Sequence, residues 1–525
     1  MPEHKITVRQ GGGSFEISGS PGRSILECLR DAGFNGIHAP CGGRGTCRQC
    51  RVTAEGQLRS VDSGEIVEVH GGELLACRYA AAGACTVTVP EQAAISVETR
   101  GAGDIAPCGH GLGAAVDIGT TTVAVYLYDL ESGRRLAVAG GRNAQRPFGA
   151  DVISRIDFCS QPGGLEKLSA AIRSQIDSFI ADCCRRCGRD TSEVRRVSIA
   201  GNTVMEHIFD LLSPVSIGVA PFRTLSLFGD VRPAAGVLAS AAPDAEIYLC
   251  PALAGYVGGD ITAGLLASGA SSSDGECLFI DIGTNGEMGL GSAAGFVCCA
   301  TAAGPAFEGA EIECGMDGSA GAVSAVRLED GEVRFDVIGA GEAKGVCGSG
   351  LIDALCVMLR CGAVQENGRM CRPDEAPEAV AHMLRPGPDG QMRFHLTDRV
   401  FISAADVRQI QMAKSAIRAG IETLMAKRGV SYSDIDRVII AGGFGAYMNV
   451  RSACAIGLLP PALMAKTAHA GNTAGAGAAL ALTGPARDEL SKLAGRCEYL
   501  ELSGSGDFME KYIECMAFDE FEEVF

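Results

Sequence analysis

Two stretches of this chain carry the same succession of residues 164 positions apart. Ala114-Ala115-Val116-Asp117-Ile118-Gly119-Thr120-Thr121-Thr122 and Leu278-Phe279-Ile280-Asp281-Ile282-Gly283-Thr284-Asn285-Gly286 each read as an apolar strand, an Asp, one further apolar residue and a Gly-Thr turn. Recurrence at that distance predicts two similar lobes, since each copy needs a sheet of its own. Between and after the copies, Leu165, Leu168, Ile172, Ile176, Phe179 and Ile180 fall at three- and four-residue steps, as do Val407, Ile410, Ile417, Ile421 and Leu424. Such spacing makes one apolar helix face. Strands alternating with helices of this kind give a mixed α/β architecture in both lobes.

The turn itself suggests a chemistry. A strand that ends in Asp and breaks at Gly-Thr offers backbone N–H groups and a hydroxyl to phosphate oxygens, while the carboxylate can hold hydrated magnesium. One such turn is more often an ordinary β-turn. Two of them, with Gly442-Gly443-Phe444-Gly445 after a third strand, Val438-Ile439-Ile440-Ala441, favour a nucleotide site. No Gly-Lys-Ser loop is present, so the phosphate grip would rest on paired turns.

A second signal lies near the N-terminus. Cys41, Cys47 and Cys50 stand in APCGGRGTCRQC, spaced Cys-x5-Cys-x2-Cys, and Cys77 follows after 26 intervening residues. Iron with inorganic sulfide prefers thiolate ligands, and a loop bent tightly around a cluster explains Gly42, Gly43 and Gly45. Zinc is the competing reading, but zinc loops usually show two short Cys pairs and this segment has only one Cys-x2-Cys. Cys183, Cys184, Cys187, Cys298 and Cys299 read as core residues, because free Cys packs as a small hydrophobe.

The length of 525 residues is too great for one core. The expected division is residues 1–95 as a small α+β unit, 96–113 as a glycine-rich linker, 114–270 as the first lobe and 271–525 as the second lobe with a tail. The 23 cysteines, without a secretory signal, predict a reducing, cytoplasmic setting. A net charge of −18 argues against nucleic acid and anionic membrane as partners. No apolar run is long enough for a membrane span.

These motifs resemble known families. The cysteine segment is similar to [2Fe-2S] ferredoxins, whose adrenodoxin-like branch has the same first gap. That implies a β-grasp electron carrier with Cys41, Cys47, Cys50 and Cys77 as ligands. The duplicated turns resemble the actin, sugar kinase and Hsp70 superfamily, a two-lobed α/β, RNase H-like ATPase fold. The resemblance implies ATP and Mg2+ in the cleft, with Asp117 and Asp281 as catalytic carboxylates. Gly119, Thr120 and Thr121 match the first phosphate loop, Gly283, Thr284 and Asn285 the second, and Gly442, Gly443 and Gly445 the adenosine loop. Ala200-Gly201-Asn202-Thr203 and Gly348-Ser349-Gly350-Leu351-Ile352-Asp353 stand where that superfamily crosses between lobes.

The pairing of both halves resembles the RACo-like ATP-dependent reductive activators of corrinoid proteins. The likeness runs through Gly201-Asn202-Thr203-Val204-Met205-Glu206-His207, Gly258-Gly259-Asp260, Ala303-Gly304-Pro305-Ala306-Phe307-Glu308-Gly309-Ala310 and Cys347-Gly348-Ser349-Gly350. It departs in a shorter chain with a brief linker. It implies reduction of an inactive cobalt(II) corrinoid protein of a methyltransferase system to cobalt(I), with electrons from a low-potential donor, and leaves a homodimer open. Competing readings are a small-molecule kinase, an activator of a radical acyl-CoA dehydratase and a nucleotide-dependent redox sensor.

Overall fold

The computed structural model describes residues 4–10, 13–20, 22–32, 34, 37, 43, 45, 50–89, 102–339 and 341–518. They fall into two compact units: the described residues up to 89 together with 142–172, and residues 102–141 with 173–518.

In the first unit, strands β1 (His4–Gln10), β2 (Gly13–Gly19), β3 (Arg51–Ser60), β4 (Ile66–Leu75) and β5 (Tyr79–Thr88) form one sheet in the order β2-β1-β5-β3-β4. β1 runs parallel to β5 and the other pairings are antiparallel. Alternate residues Ile6 and Val8, Val52 and Ala54, and Cys85 and Val87 are buried on one face, the period of two expected of a half-buried sheet. The helix α1 (Ile25–Asp31) supplies Ile25, Leu26, Cys28 and Leu29 to the same core. Ser24 and Glu27 form a reciprocal capping box that fixes where this helix begins. A mixed sheet carrying one helix is the β-grasp arrangement expected for a ferredoxin-like domain.

The second unit holds two six-stranded sheets built on one plan. In the first, β6 (Leu112–Ile118), β7 (Thr122–Asp129) and β8 (Arg135–Arg142) follow in sequence, and the strands Val194–Gly201 and Glu246–Leu249 add to the other side of β6 in parallel. In the second, Glu276–Ile282, Gly286–Ser292 and Gly295–Thr301 form the antiparallel run. Ile435–Ala441 and Thr467–Gly471 then add in parallel. Asp117 pairs with Ala200, and Asp281 with Ala441, so both carboxylates sit one residue before a glycine on the neighbouring strand. The sequence repeat is thus a repeat of sheet register.

The central strand Glu276–Ile282 is buried on both faces, as a covered sheet requires. Leu278, Ile280 and Ile282 enter one core cluster and Cys277 and Phe279 the other. The helix Ala404–Arg428 covers the first face with Val407, Ile410, Ile417, Ile421 and Leu424, the expected stripe. Cys183, Cys184, Cys298 and Cys299 are buried, as read from sequence. Within the stretch read as linker, residues 96–101 lie outside the described ones. Ala102 and Ile105 are packed into a core, and the Ile105 N–H donates to the Gly133 carbonyl.

Helices Gly259–Ala267 and Thr473–Leu480 touch backbone to backbone. A Cβ on Gly477 would lie 2.2 Å from the Ala263 carbonyl oxygen. Gly477→Ala is therefore expected to cost about 1–3 kcal/mol through overpacking, read as a lower urea midpoint. An unchanged midpoint would show that the two helices can separate freely.

Candidate functional site

The two repeated turns open onto one cavity of about 680 Å³ in the second unit. Asp117, Gly119, Thr120 and Thr121 line it from the first copy, and Asp281, Gly283, Thr284 and Asn285 from the second. Gly442 and Gly443 complete that wall. Gly442 has φ +88°, and a Cβ there would stand 2.4 Å from the Asp281 carboxylate, so only glycine lets the backbone close on that acid. Gly445 is not on the wall. It begins a single helical turn, where a Cβ would meet the side chain of Ile440 at 2.6 Å. Of the segment 348–353, Gly348 and Ser349 reach the cavity. Asp353 instead accepts from the Val326 N–H at 3.4 Å.

Several wall residues were not singled out as site residues from sequence: Asp260, Glu287, Glu308, Asn202 and Asn472. Asn472 donates to Asp117 at 2.7 Å and accepts from the Gly475 N–H, so one side chain caps a helix and orients the carboxylate. Asn202 does the same on the other side, donating to Thr120 Oγ1 at 3.0 Å and accepting from the Met205 N–H. A signal for both was present: Ala-Gly-Asn-Thr stands at 200–203 and again at 470–473, a second repeat that follows from the first.

Among the described residues that line the cavity there is no lysine, arginine or histidine. Burial pushes the Asp117 carboxyl up to about 6, with the Asn472 amide holding it back. Burial, then the charge of Asp117, pushes Asp281 up to about 7. Asp260 and Glu287 are driven up by burial first and by neighbouring carboxylates second, chiefly Asp281 for the former and Asp260 for the latter. Such a wall fits a divalent cation that neutralises several acids. Among the described residues no three metal-binding side chains close on one point. That suits magnesium, which keeps its waters and takes one or two carboxylates along with phosphate oxygens.

A pH dependence follows. The folded-state values of Asp117 and Asp281 lie above the ordinary carboxyl value of about 4. The stability they contribute is complete below that value and is lost as pH rises through about 6 to 7. Bound magnesium offsets the repulsion that ionisation creates, so the rise in melting temperature on adding Mg2+ is expected to be larger near pH 8 than near pH 5.5. Equal shifts at both pH values would count against these carboxylates as magnesium ligands.

In the first unit, Cys50 and Cys77 are buried, with their sulfur atoms 3.2 Å apart. A disulfide would need about 2.05 Å, so the two sulfur atoms are not bonded to each other. Cys50 immediately precedes β3 and Cys77 lies between β4 and β5. The Ala76 N–H donates to the Cys50 carbonyl at 2.7 Å, and the Leu26 N–H donates to Ala76. The backbone thus pins the two thiols face to face, as two ligands of one metal centre require. Cys41, Cys47 and Gly42 lie outside the described residues.

Fold and sites together define a two-lobed ATPase of the actin and sugar kinase kind, preceded by an iron–sulfur domain. Residues 8–82 match the 2Fe-2S iron-sulfur cluster binding domain, 112–273 the RACo middle region, and 275–524 the C-terminal domain of RACo, the ASKHA domain. The chain belongs to the RACo family. It carries that family's [2Fe-2S] domain and ATP-binding domain, with Mg2+ as the accompanying ion.

The corrinoid activation enzyme RamQ of Eubacterium limosum is 36% identical over 418 residues, 76% of this chain and 69% of that protein. The [Co(II) methylated amine-specific corrinoid protein] reductase of Methanosarcina barkeri is 26% identical over 389 residues, 66% of each. Among solved structures, a reductive activator for corrinoid,iron-sulfur protein superposes with a TM-score of 0.70 at 31% identity, covering 98% of both chains.

Proposed function

We propose that this protein is an ATP-dependent reductive activator that returns a cobalt(II) corrinoid protein to cobalt(I), using one electron from a low-potential donor. The likeness over 98% of a reductive activator's length, with both sites present, supports this most directly. In this reading Cys41, Cys47, Cys50 and Cys77 hold the cluster. Asp117 and Asp281 hold magnesium and its waters. The turns Gly119–Thr121 and Gly283–Asn285 hold the phosphates, and Gly442 and Gly443 lie against the adenosine, with Gly445 shaping that loop from behind. When bound, the cluster supplies electrons singly and ATP supplies free energy for a couple too negative to reach otherwise.

The chain's own contribution is to exclude water from two buried thiols and to keep several acids in one cleft until a cation arrives. Acids on facing walls of the cleft are drawn to one magnesium-nucleotide, which links occupancy to lobe angle. The reading assigns the protein to the cytoplasm, where its thiols stay reduced. The test is anaerobic: the spectra of several cobalt(II) corrinoid proteins are followed with donor, with and without ATP. ATP-dependent conversion to cobalt(I) is expected. Phosphorylation of a small metabolite with no change in any corrinoid spectrum would favour a kinase instead.

A further inference from the structure

Glu308 lines the cavity but has no role in the site described above, and it touches both phosphate turns. It stands on the short helical turn Pro305–Glu308, between the strands Gly295–Thr301 and Ala322–Glu329. One carboxylate oxygen accepts from the Thr121 hydroxyl at 2.8 Å and the other from the Thr284 hydroxyl at 3.1 Å. The same carboxylate faces the backbone of the second turn, since a Cβ on Gly283 would lie 3.9 Å from Glu308 Oε1. A single carboxylate therefore spans the cavity from the first copy of the repeat to the second.

Those contacts are what a phosphate would make. A carboxylate and a phosphate present the same acceptors to a hydroxyl donor, and a pair of donors on opposite walls selects a group with two such oxygens at the right separation. Two anions cannot share one pair of hydroxyls, because like charges about 3 Å apart do not both persist. A nucleotide whose last phosphate reaches both turns must displace Glu308. One that stops short leaves the carboxylate in place.

We propose that Glu308 is the group by which this site tells a nucleoside triphosphate from a diphosphate: an internal occupant of the terminal-phosphate seat, released only by a ligand that brings its own oxyanion there. The inference rests on the nucleotide-site reading above. Its consequence is that the triphosphate, and not the diphosphate, frees the loop 304–318. Apparent affinity falls by the fraction of molecules in which the seat is open, so the closed contact weakens triphosphate binding and leaves diphosphate binding unaltered.

The experiment compares the wild-type protein with Glu308→Gln and Glu308→Asp. Dissociation constants are measured with Mg2+ for ADP and for a non-hydrolysable ATP analogue, and hydrogen exchange is followed across residues 304–318. Glutamine removes the charge at constant size. Aspartate keeps the charge but is one methylene too short to reach both hydroxyls. Both variants are expected to bind the triphosphate analogue about tenfold more tightly, with ADP changed by less than about twofold. In wild type the analogue, but not ADP, should raise exchange in 304–318, and the glutamine variant should exchange fast without ligand.

Tightening by glutamine with wild-type behaviour in aspartate would overturn the proposal, because simple charge repulsion would then suffice. Equal gains for both nucleotides, or an unchanged ratio in both variants, would overturn it as well. If the wild-type protein binds neither nucleotide, the site reading itself fails, and the proposal with it.

Discussion

Cys77→Ser is expected to give a protein that folds and binds nucleotide but holds no two-iron cluster and leaves cobalt(II) corrinoid unreduced. Cys77 is 5% exposed and faces Cys50 at 3.2 Å, on a turn whose backbone is tied to both α1 and the Cys50 carbonyl. A serine side chain is small enough for that position but offers a hard, protonated oxygen where iron with sulfide wants thiolate. The same loss is expected for Cys41→Ser, Cys47→Ser and Cys50→Ser. Cys183→Ser and Cys298→Ser, at buried positions in the other unit, should keep two irons and two sulfides per chain. The measurement is iron and sulfide content with the visible spectrum, followed by the corrinoid assay. Full iron content in Cys77→Ser would remove this residue from the ligand set.

The repeat was readable because a sheet leaves marks at fixed intervals. An apolar run, an Asp at its end and a glycine beyond follow from the strand's position beside another strand, and both copies keep the same register. The cysteine spacing was readable because a loop that gathers several thiols must be short and glycine-rich. Asp260, Glu287 and Glu308 were not. Each is a single acid set into the site by its own element: Asp260 on the first turn of the helix Gly259–Ala267, Glu287 as the second residue of the strand Gly286–Ser292, Glu308 at the end of the helical turn Pro305–Glu308.

His207, which stands in a stretch that marks kinship, has a packing task. It is fully buried, its Nδ1 is 2.7 Å from the Thr203 carbonyl, and its Nε2 accepts from the Leu225 and Ser226 N–H groups. Burial pushes its pKa down, which suits a neutral ring that donates at one nitrogen and accepts at the other. Gly445 is similar: the spacing marks all three glycines of the loop alike, but only the first two reach the cavity. Spacing reveals that a loop is tight without telling which of its residues face inward.

Asp281→Asn is expected to separate the two halves of the protein: the cluster stays intact and reducible by a chemical donor, while ATP-dependent reduction of the corrinoid protein falls about 10²-fold or more, the usual cost of removing one preorganised charge from such a site. Asp281 is the right position because it occupies the junction of three features. It is the penultimate residue of the central strand of its lobe, it lies against Gly442 just past the neighbouring strand, and it shares the cavity with Asp117. Asparagine preserves the shape against Gly442 but carries no charge for magnesium. Removing one acid also relieves its neighbours, since the charge of Asp281 helps push up both Asp260 and Glu287. The metal-free variant is therefore expected to be no less stable than wild type near pH 8, while its stabilisation by Mg2+ shrinks. Asp117→Asn should give the same pattern, with the added loss of a carboxylate partner for Asn472. Normal ATP-driven reduction in both variants would mean that the two turns do not share one nucleotide.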